Sequence, residues 1–445
     1  MVAHPPDFRE ACRVWLKIGL LSFGGPAGQI ATMHRILVDE KKWVGEARFL
    51  HALNFCMLLP GPEAQQLATY LGWILHRVPG GLVAGTLFVL PGFLVMMGLA
   101  ALYVGFHHVP AIDGLFFGLK PAVLAVVVDA SLRIGRRALK QWPLKAVAAA
   151  SFAAIFLLDV PFPLIVAVAG LFGFLAARAG QRAFLPVADK GGGVIDALLD
   201  GGDGHLNRSF GGTLAVAFGW AALWLAPVAM AAVAGEGAFG AIGLFFAKMA
   251  VVTFGGAYAV LGYVAQQAVE VHHWLSPGEM LDGLALAETT PGPLILVNQF
   301  VGFLAGFRDS GGLGPWAGGV LGGALTVWAT FMPTFLWVFA GAPYVERLRG
   351  HAGLAGALTA ITAAVVGVIL NLSVWFAIHV VFQRVSEPYF GPFRLIVPDL
   401  GSLDPLAAAL VVMSLFAMLR LKIGMAPTLL AAASTGLAWR LLLAP

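Results

Sequence analysis

Two Pro-Gly-Pro strings interrupt an otherwise apolar chain, and polar side chains flank both of them. The first is Pro60-Gly61-Pro62 and the second is Pro291-Gly292-Pro293. Proline breaks a helix because it lacks an N–H group and its ring clashes with the preceding turn. The half-helix after each break presents free N–H groups and the positive end of its dipole, which together favour an anion. The strings therefore predict two anion-binding helix ends, which jointly offset about one negative charge.

A glycine-rich motif accompanies each of these strings. "SFGGP" occupies 22–26 and "TFGGA" occupies 253–257. Hydroxyl and amide groups near the breaks can donate hydrogen bonds to the oxygen atoms of an oxyanion. The candidate substrate-binding residues are Ser22, Gly24, Gly25, Pro26, Gln29, Pro60, Gly61, Pro62, Gln65, Gln66, Lys120, Thr253, Gly255, Gly256, Thr289, Thr290, Pro291, Gly292, Pro293 and Asn298.

Three charged residues lie within or beside the apolar segments. Lys120 is in the middle of "FFGLKPAVLAV", where a lysine costs roughly 2.5–3.5 kcal/mol on insertion scales. We expect it to contact the anion directly or through one intervening group; the alternative is that it extends to the membrane surface. Glu63 and Glu288 are candidate proton-coupling residues, and the alternative is that each caps exposed backbone at its break.

The composition indicates the class of protein that positions these residues. Of 445 residues, 59% are hydrophobic and 11% are charged, whereas soluble domains carry about 25% charged residues. We predict an all-α polytopic membrane protein with the lipid bilayer as its surroundings. A net charge of +4 gives no support for nucleic-acid binding, and Cys12 and Cys56 have neither metal-ligand nor disulfide spacing. No cofactor, metal or removable signal peptide is predicted, and a homodimer is left open.

Apolar runs predict thirteen helical segments, and a linker separates the seventh from those before it. The segments are 10–31, 48–77, 80–106, 111–135, 143–159, 161–179, 210–232, 238–264, 279–304, 313–341, 352–382, 404–421 and 425–443. Lysine and arginine counts place the N-terminus, the 133–145 loop and the 178–209 linker in the cytoplasm. The basic 35–48 loop would lie outside the cell if the first two segments crossed the membrane fully. It lies in the cytoplasm, as its charge favours, if those two segments are re-entrant hairpins. We interpret the linker's Asp196, Asp200, Asp203 and His205 as a solvated loop rather than a metal site.

An internal repeat relates the two ends of the chain. Ser22 corresponds to Thr253, which gives an offset of 231 (253 − 22), and Trp43 with Trp274 and Gly61 with Gly292 share it. We predict an N-terminal repeat at 8–180, a linker and connecting helix at 181–237, and a C-terminal repeat at 238–443. The connecting helix makes the second repeat enter the membrane from the opposite side. Inverted repeats with interrupted helices are typical of transporters whose substrate site lies between the repeats.

The motifs resemble one known family. "FGGPAGQIATMH", "LLPGPEAQQLATYLGW" and "GLKPAV", with the weaker "TFGGAYAVLGYV" and "TTPGPLILVNQFVGF", are similar to the chromate ion transporter family in its long, two-domain form. The resemblance implies export of chromate from the bacterial cytoplasm through the inner membrane and chromate resistance, with sulfate as the natural competitor. The second repeat has Ala257 and Thr359 where the first has Pro26 and Lys120, so we expect the first repeat to contribute most to binding.

Two other functions are weighed against a secondary active oxyanion exporter. A chromate reductase would need a flavin or nicotinamide fingerprint or a redox cysteine pair, and the sequence shows none of these. A lipid-phosphate flippase, or a transporter of another oxyanion, could use the same broken-helix anion site. The chain has no Walker loop, so we do not expect ATP to be the direct source of energy.

Overall fold

The computed structural model describes residues 6–23, 25–57, 59–106, 109–184, 210–254, 257–341 and 352–442. Among the residues singled out in the sequence, Gly24, Gly255 and Gly256 lie outside the described residues. The same holds for the four linker residues weighed as a metal site.

The described chain is almost entirely helical. In its first part the helices are α1 (Phe8–Leu21), α2 (Gly25–His34), α3 (Glu46–Cys56), α4 (Glu63–Phe106), α5 (Pro110–Ala138), α6 (Trp142–Leu158), α7 (Phe162–Arg178) and α8 (Phe210–Ala234). In its second part they are α9 (Phe239–Val252), α10 (Ala257–Ala265), α11 (Pro277–Thr289), α12 (Val297–Arg308), α13 (Pro315–Phe331), α14 (Pro333–Gly341), α15 (Ala352–Val381), α16 (Pro405–Leu415) and α17 (Met425–Leu442).

The predicted class, an all-α polytopic membrane protein, is confirmed. Within the described part of the chain, five helical spans are long and apolar enough to cross a membrane: Glu63–Phe106, Pro110–Arg136, Gly211–Ala234, Pro315–Gly341 and Ala352–Val381.

Several boundaries differ from the sequence prediction. The first predicted segment is two helices separated at the glycine-rich motif, and 48–77 is divided at Pro60-Gly61-Pro62. The predicted boundary between 48–77 and 80–106 is present as a kink within Glu63–Phe106, because His76 and Arg77 have non-helical dihedral angles and separate two helical stretches of α4.

Backbone geometry repeats at the offset found in the sequence. Helix α1 begins and ends 231 positions before α9. Short π-helical turns follow α2 and α10 at Arg35–Glu40 and Gln266–Val271, again 231 positions apart. Lys42 has a φ of 54° and His273, at the same offset, has a φ of 52°. Because side chains other than glycine rarely adopt positive φ, this shared detail supports a common local structure.

The chain forms two compact units, and each takes segments from both predicted repeats. The first unit contains 1–98, 186–257 and 290–351, and the second contains 99–185, 258–289 and 352–445. In the first unit, α12 and α13 pack closely because a Cβ on Gly306 would lie 2.3 Å from the carbonyl oxygen of Gly318. In the second unit, a Cβ on Gly118 of α5 would lie 2.0 Å from the carbonyl oxygen of Ala432 on α17. Small residues allow such close approach between helices in membranes.

The segment between α15 and α16 forms two short antiparallel ladders that the sequence analysis does not predict. Strand β1 (Val385–Ser386) pairs with β4 (Val397–Pro398), and β2 (Tyr389–Phe390) pairs with β3 (Phe393–Arg394). These ladders place Arg394 in the second unit with its side chain only 6% exposed.

Three carboxylates surround Arg394. Its guanidinium nitrogens lie 3.1 Å from Asp159, 2.8 Å from Glu270 and 3.0 Å from Glu387. Burial alone would lower the pKa of this guanidinium, but Glu270, Glu387 and Asp159 raise that pKa above its ordinary value. The cluster therefore fastens the β segment to the end of α6, where Asp159 lies, and to the π turn after α10, where Glu270 lies.

We expect Arg394→Gln to lower the free energy of unfolding by about 2–3 kcal/mol, because it leaves carboxylates without their cation. This loss of stability is at or below the cost of removing one partner of a fully buried ion pair. The reason is that the three carboxylates are partly exposed. Thermal unfolding of the purified protein measures the change. The matched control is Arg384→Gln, whose partner Asp399 is 46% exposed; this exposed pair contributes about 0–1 kcal/mol. Equal effects of the two substitutions would contradict the fastening role.

Candidate functional site

The broken segments of the two repeats are joined by a reciprocal pair of backbone hydrogen bonds in the first unit. The Gly61 N–H donates to the Thr253 carbonyl at 2.8 Å, and the Gly292 N–H donates to the Ser22 carbonyl at 2.7 Å. The four residues form two pairs at the offset of 231. Each glycine-rich break therefore binds the Pro-Gly-Pro string of the other repeat rather than that of its own.

The side chains of Ser22 and Thr253 complete the helix ends at these positions. Ser22 Oγ donates to the Ile18 carbonyl at 2.7 Å, and Thr253 Oγ1 donates to the Met249 carbonyl at 2.7 Å. A hydroxyl has a single hydrogen to donate. In this conformation both hydroxyl hydrogens are used by the backbone, so these two predicted anion donors act by shaping the break.

Both Pro-Gly-Pro strings require their central glycine. Gly61 has a φ of 119° and Gly292 a φ of 96°, a region that residues with a Cβ rarely adopt. Space is also limited, since a Cβ on Gly292 would lie 3.1 Å from Gly92 Cα. A Cβ on Gly61 would lie 3.0 Å from Gln66 Nε2. Both central glycines are therefore held at a φ that favours glycine, with little room for a side chain.

Amide side chains bind the carbonyl groups that the breaks expose. Gln66 Nε2 donates to the Pro60 carbonyl at 2.7 Å, and Gln29 Nε2 donates to the Gly292 carbonyl at 2.8 Å. These two predicted site residues therefore support the broken backbone, and Gln29 links the repeats a third time.

Buried amide oxygens in the first unit lack partners. Among the described residues, no hydrogen bond reaches Oε1 of Gln65, Gln66 or Gln299, or Oδ1 of Asn298. Buried polar atoms in native proteins are nearly always paired with protein, water or ligand. Two of these four amides follow each Pro-Gly-Pro string along the chain, Gln65 and Gln66 the first and Asn298 and Gln299 the second. Together they provide polar side chains for a hydrated ligand.

The two half-helices that follow the Pro-Gly-Pro strings differ in their first turns. The first turn of the half-helix that begins at Glu63 closes when the Gln66 N–H donates to the Pro62 carbonyl at 3.0 Å. The N–H groups of residues 63, 64 and 65 precede that bond and have no acceptor within the helix. The second string continues into a tight 3₁₀ turn at Leu294–Leu296, with the Leu296 N–H bonded to the Pro293 carbonyl. That the first repeat contributes most to binding stays a prediction.

Glu63 stands at the start of the first of these half-helices. No hydrogen bond or ion pair joins its carboxyl group to another residue of the described chain. The alternative reading, in which Glu63 caps exposed backbone, gains no support from this arrangement.

The remaining charged candidates belong to the second unit. Tyr258 donates a hydrogen bond to Glu288 Oε1 at 2.7 Å, while Glu288 Oε2 is buried without a hydrogen-bond partner in the described chain. Thr289 Oγ1 donates to the carbonyls of Ala285 and Leu286, both at 3.0 Å, so its hydroxyl serves its own helix. Thr290, which belongs to the first unit, is buried.

Lys120 has a carboxylate partner that the sequence analysis misses. Its Nζ lies 3.3 Å from Asp282 Oδ1, and Tyr103 donates to Asp282 Oδ2 at 2.8 Å. The sequence contains a usable signal, because Asp282 lies in an apolar run of the same kind that singles out Glu288. Its partner Tyr103 could not be paired with it from sequence, since 179 positions separate them.

No metal centre is found among the described residues, where no group of three His, Cys, Asp or Glu side chains could hold an ion.

Comparison with known proteins identifies a family. The family model for the chromate transporter matches residues 9–174 and 240–437. A chromate transport protein from Pseudomonas aeruginosa is 33% identical over 377 residues, covering 83% of this chain and 80% of that protein. One from Cupriavidus metallidurans is 27% identical, covering 81% and 80%, and a probable one from Synechococcus elongatus is 27% identical, covering 82% and 84%. No solved structure matches the chain.

The Pro-Gly-Pro geometry predicts that alanine is poorly tolerated at either central glycine. We expect Gly61→Ala and Gly292→Ala each to lower the free energy of unfolding by about 1–3 kcal/mol, the range for a residue held at unfavourable φ. Thermal unfolding of the purified variants measures this. Gly45→Ala is the control, because Gly45 has a φ of −71° and open space around its Cβ position. Unchanged unfolding of both variants would show that these strings do not hold the conformation described.

Proposed function

The chain belongs to the chromate transporter family, and from this premise we propose that it is a secondary active transporter that exports chromate from the bacterial cytoplasm. A transporter role, rather than a catalytic one, accords with its family and its membrane-spanning helices. Curated relatives that align with more than four-fifths of the chain are named as chromate transport proteins. Chromate resistance of the host and competition by sulfate, a tetrahedral dianion of similar shape, are parts of the same proposal.

The observation that carries the proposal is the reciprocal contact between the two broken segments. It brings the Pro-Gly-Pro strings of both repeats into one unit, each held by the carbonyl of the other repeat's glycine-rich break. Chromate is a dianion, and two helix N-termini offset about one elementary charge. The N–H groups at residues 63 to 65, together with the amides of Gln65 and Asn298, are the donors that we assign to the oxyanion.

The membrane potential gives export a source of energy. One elementary charge crossing a potential of 100 mV is worth about 2.3 kcal/mol, so an inside-negative potential favours the exit of a dianion.

We propose that the protein lies in the bacterial plasma membrane with its N-terminus in the cytoplasm and its repeats inverted. The orientation follows from the arginine and lysine content of the 133–145 loop and of the linker. A reporter fused to the N-terminus tests it, since the fusion should be active only in its cytoplasmic form.

Everted membrane vesicles provide the direct test of transport. Because their cytoplasmic face is outward, an energised exporter should accumulate radiolabelled chromate in the lumen, and vesicles without the protein should not. Excess sulfate should reduce the accumulation. Absence of chromate uptake, with uptake of a fluorescent lipid phosphate instead, would favour the flippase and contradict the proposal.

Glu63 and Glu288 are the proton-coupling residues in this proposal. Chromate transport in proteoliposomes should change the lumenal pH, which an encapsulated dye reports. In Glu63→Gln the first carboxyl can no longer carry a proton, so we expect chromate to equilibrate while the pH change falls at least about fivefold. Glu46→Gln is the control, since Glu46 is exposed and pairs with His34 outside the site. A normal pH change in Glu63→Gln would remove Glu63 from proton coupling.

A further inference from the structure

We propose that Asp282 is a built-in competitor of the substrate for Lys120, so that an oxyanion engages this lysine only when Asp282 is protonated. This inference rests on the proposed function and concerns a second anion contact, located in the second unit. It assigns a role to Asp282 and to Tyr103, neither of which is among the residues predicted from sequence.

The competitor is held in place by two groups on different helices. Asp282 on α11 contacts Lys120 on α5 at 3.3 Å and accepts the Tyr103 hydroxyl of α4 at 2.8 Å. The Asp282 side chain is 6% exposed, whereas the Lys120 side chain is 28% exposed. The carboxylate is therefore enclosed, and the ammonium group retains an open side.

The contact between the two charges is loose. Asp282 Oδ1, the atom nearest the ammonium group, accepts no hydrogen bond within the described chain. An ammonium group has three hydrogens to donate, so Lys120 can bind another acceptor. The exposed part of the Lys120 side chain is where such an acceptor can approach, and the ammonium group lies beside Gly278, whose Cβ position would be 3.4 Å from Lys120 Nζ. A pair that served only to neutralise buried charge would be expected to close this distance and satisfy the oxygen.

Charge counting shows why a proton is needed. Lys120 and ionised Asp282 sum to zero, and the carboxylate repels a dianion strongly at short range in a medium of low dielectric constant. Protonation of Asp282 leaves a net charge of +1 at the partly exposed Lys120 side chain. The neutral carboxyl can then turn its O–H towards an oxyanion oxygen.

The other groups around Asp282 do not supply the missing charge. Glu279, one turn earlier on α11, adds a negative charge. Helix α15 also packs on α11, and its one titratable side chain, His379, is bonded to the Trp375 carbonyl of its own helix. Among the described residues of the helices packed on α11, the cation in contact with Asp282 is Lys120 of α5. Proton and anion must then bind together here, each raising the affinity for the other by the same factor.

Three variants test the proposal in proteoliposomes, with chromate as the probe and the apparent affinity measured at two pH values at which chromate is a dianion. Asp282→Asn keeps the shape and an acceptor for Tyr103 but carries no charge. We expect its affinity at the higher pH to exceed that of the parent at least about fivefold, with little change between the two pH values. Tyr103→Phe removes a hydrogen bond that stabilises the ionised carboxyl. It should move the pH midpoint of the parent's affinity upwards without abolishing transport.

The double variant Lys120→Gln with Asp282→Asn separates this role from a purely structural ion pair. If the pair only neutralises buried charge, the double variant should recover the transport that Lys120→Gln loses. Under the proposal it should recover the amount of folded protein but not the affinity for chromate. Recovery of affinity, or an Asp282→Asn affinity that falls with pH as the parent's does, would overturn the inference. A parent that carries no chromate would instead refute the proposed function.

Discussion

The structure of the candidate site depends on one constraint, which is that backbone groups within a membrane must find partners inside the protein. A helix that stops at Ser22 or Thr253 leaves carbonyl groups without the N–H donors of a following turn. A Pro-Gly-Pro string leaves N–H groups without acceptors. The chain satisfies both by exchange between repeats, at 2.7 and 2.8 Å. Glutamine side chains then bind the carbonyls that the exchange does not reach. What remains free is a small set of N–H groups at the start of α4, and this is the set that a ligand can use.

Much of this arrangement could be predicted from the sequence because its signals are local. The offset of 231 was visible in the motifs, and the structure extends it to the ends of α1 and α9 and to the backbone at Lys42 and His273. The membrane class followed from composition, and the family from the motifs. In each case the residues that decide the outcome are neighbours in the chain.

The remainder depended on contacts between distant positions. Gly61 could be assigned to a break, but its bond to Thr253 crosses from one repeat to the other. Lys120 was recognised as a charge in an apolar segment, whereas its partner Asp282 is supplied by α11 and oriented by Tyr103 of α4. The fastening of Arg394 was missed for the same reason, since its carboxylates come from α6 and from the turn after α10 as well as from its own loop. A single sequence carries no record of such pairings.

The exchange between repeats also constrains how the protein is made. A ribosome inserts the chain from its N-terminus, so Pro60-Gly61-Pro62 enters the membrane long before Thr253 has been synthesised. Until then the Gly61 N–H lacks its native acceptor, and the Ser22 carbonyl waits still longer for Gly292. The first repeat must therefore remain in a provisional form, with water or lipid headgroups in place of those partners. Its broken segments can mature only when translation has passed residue 292, which makes the formation of the site a late event.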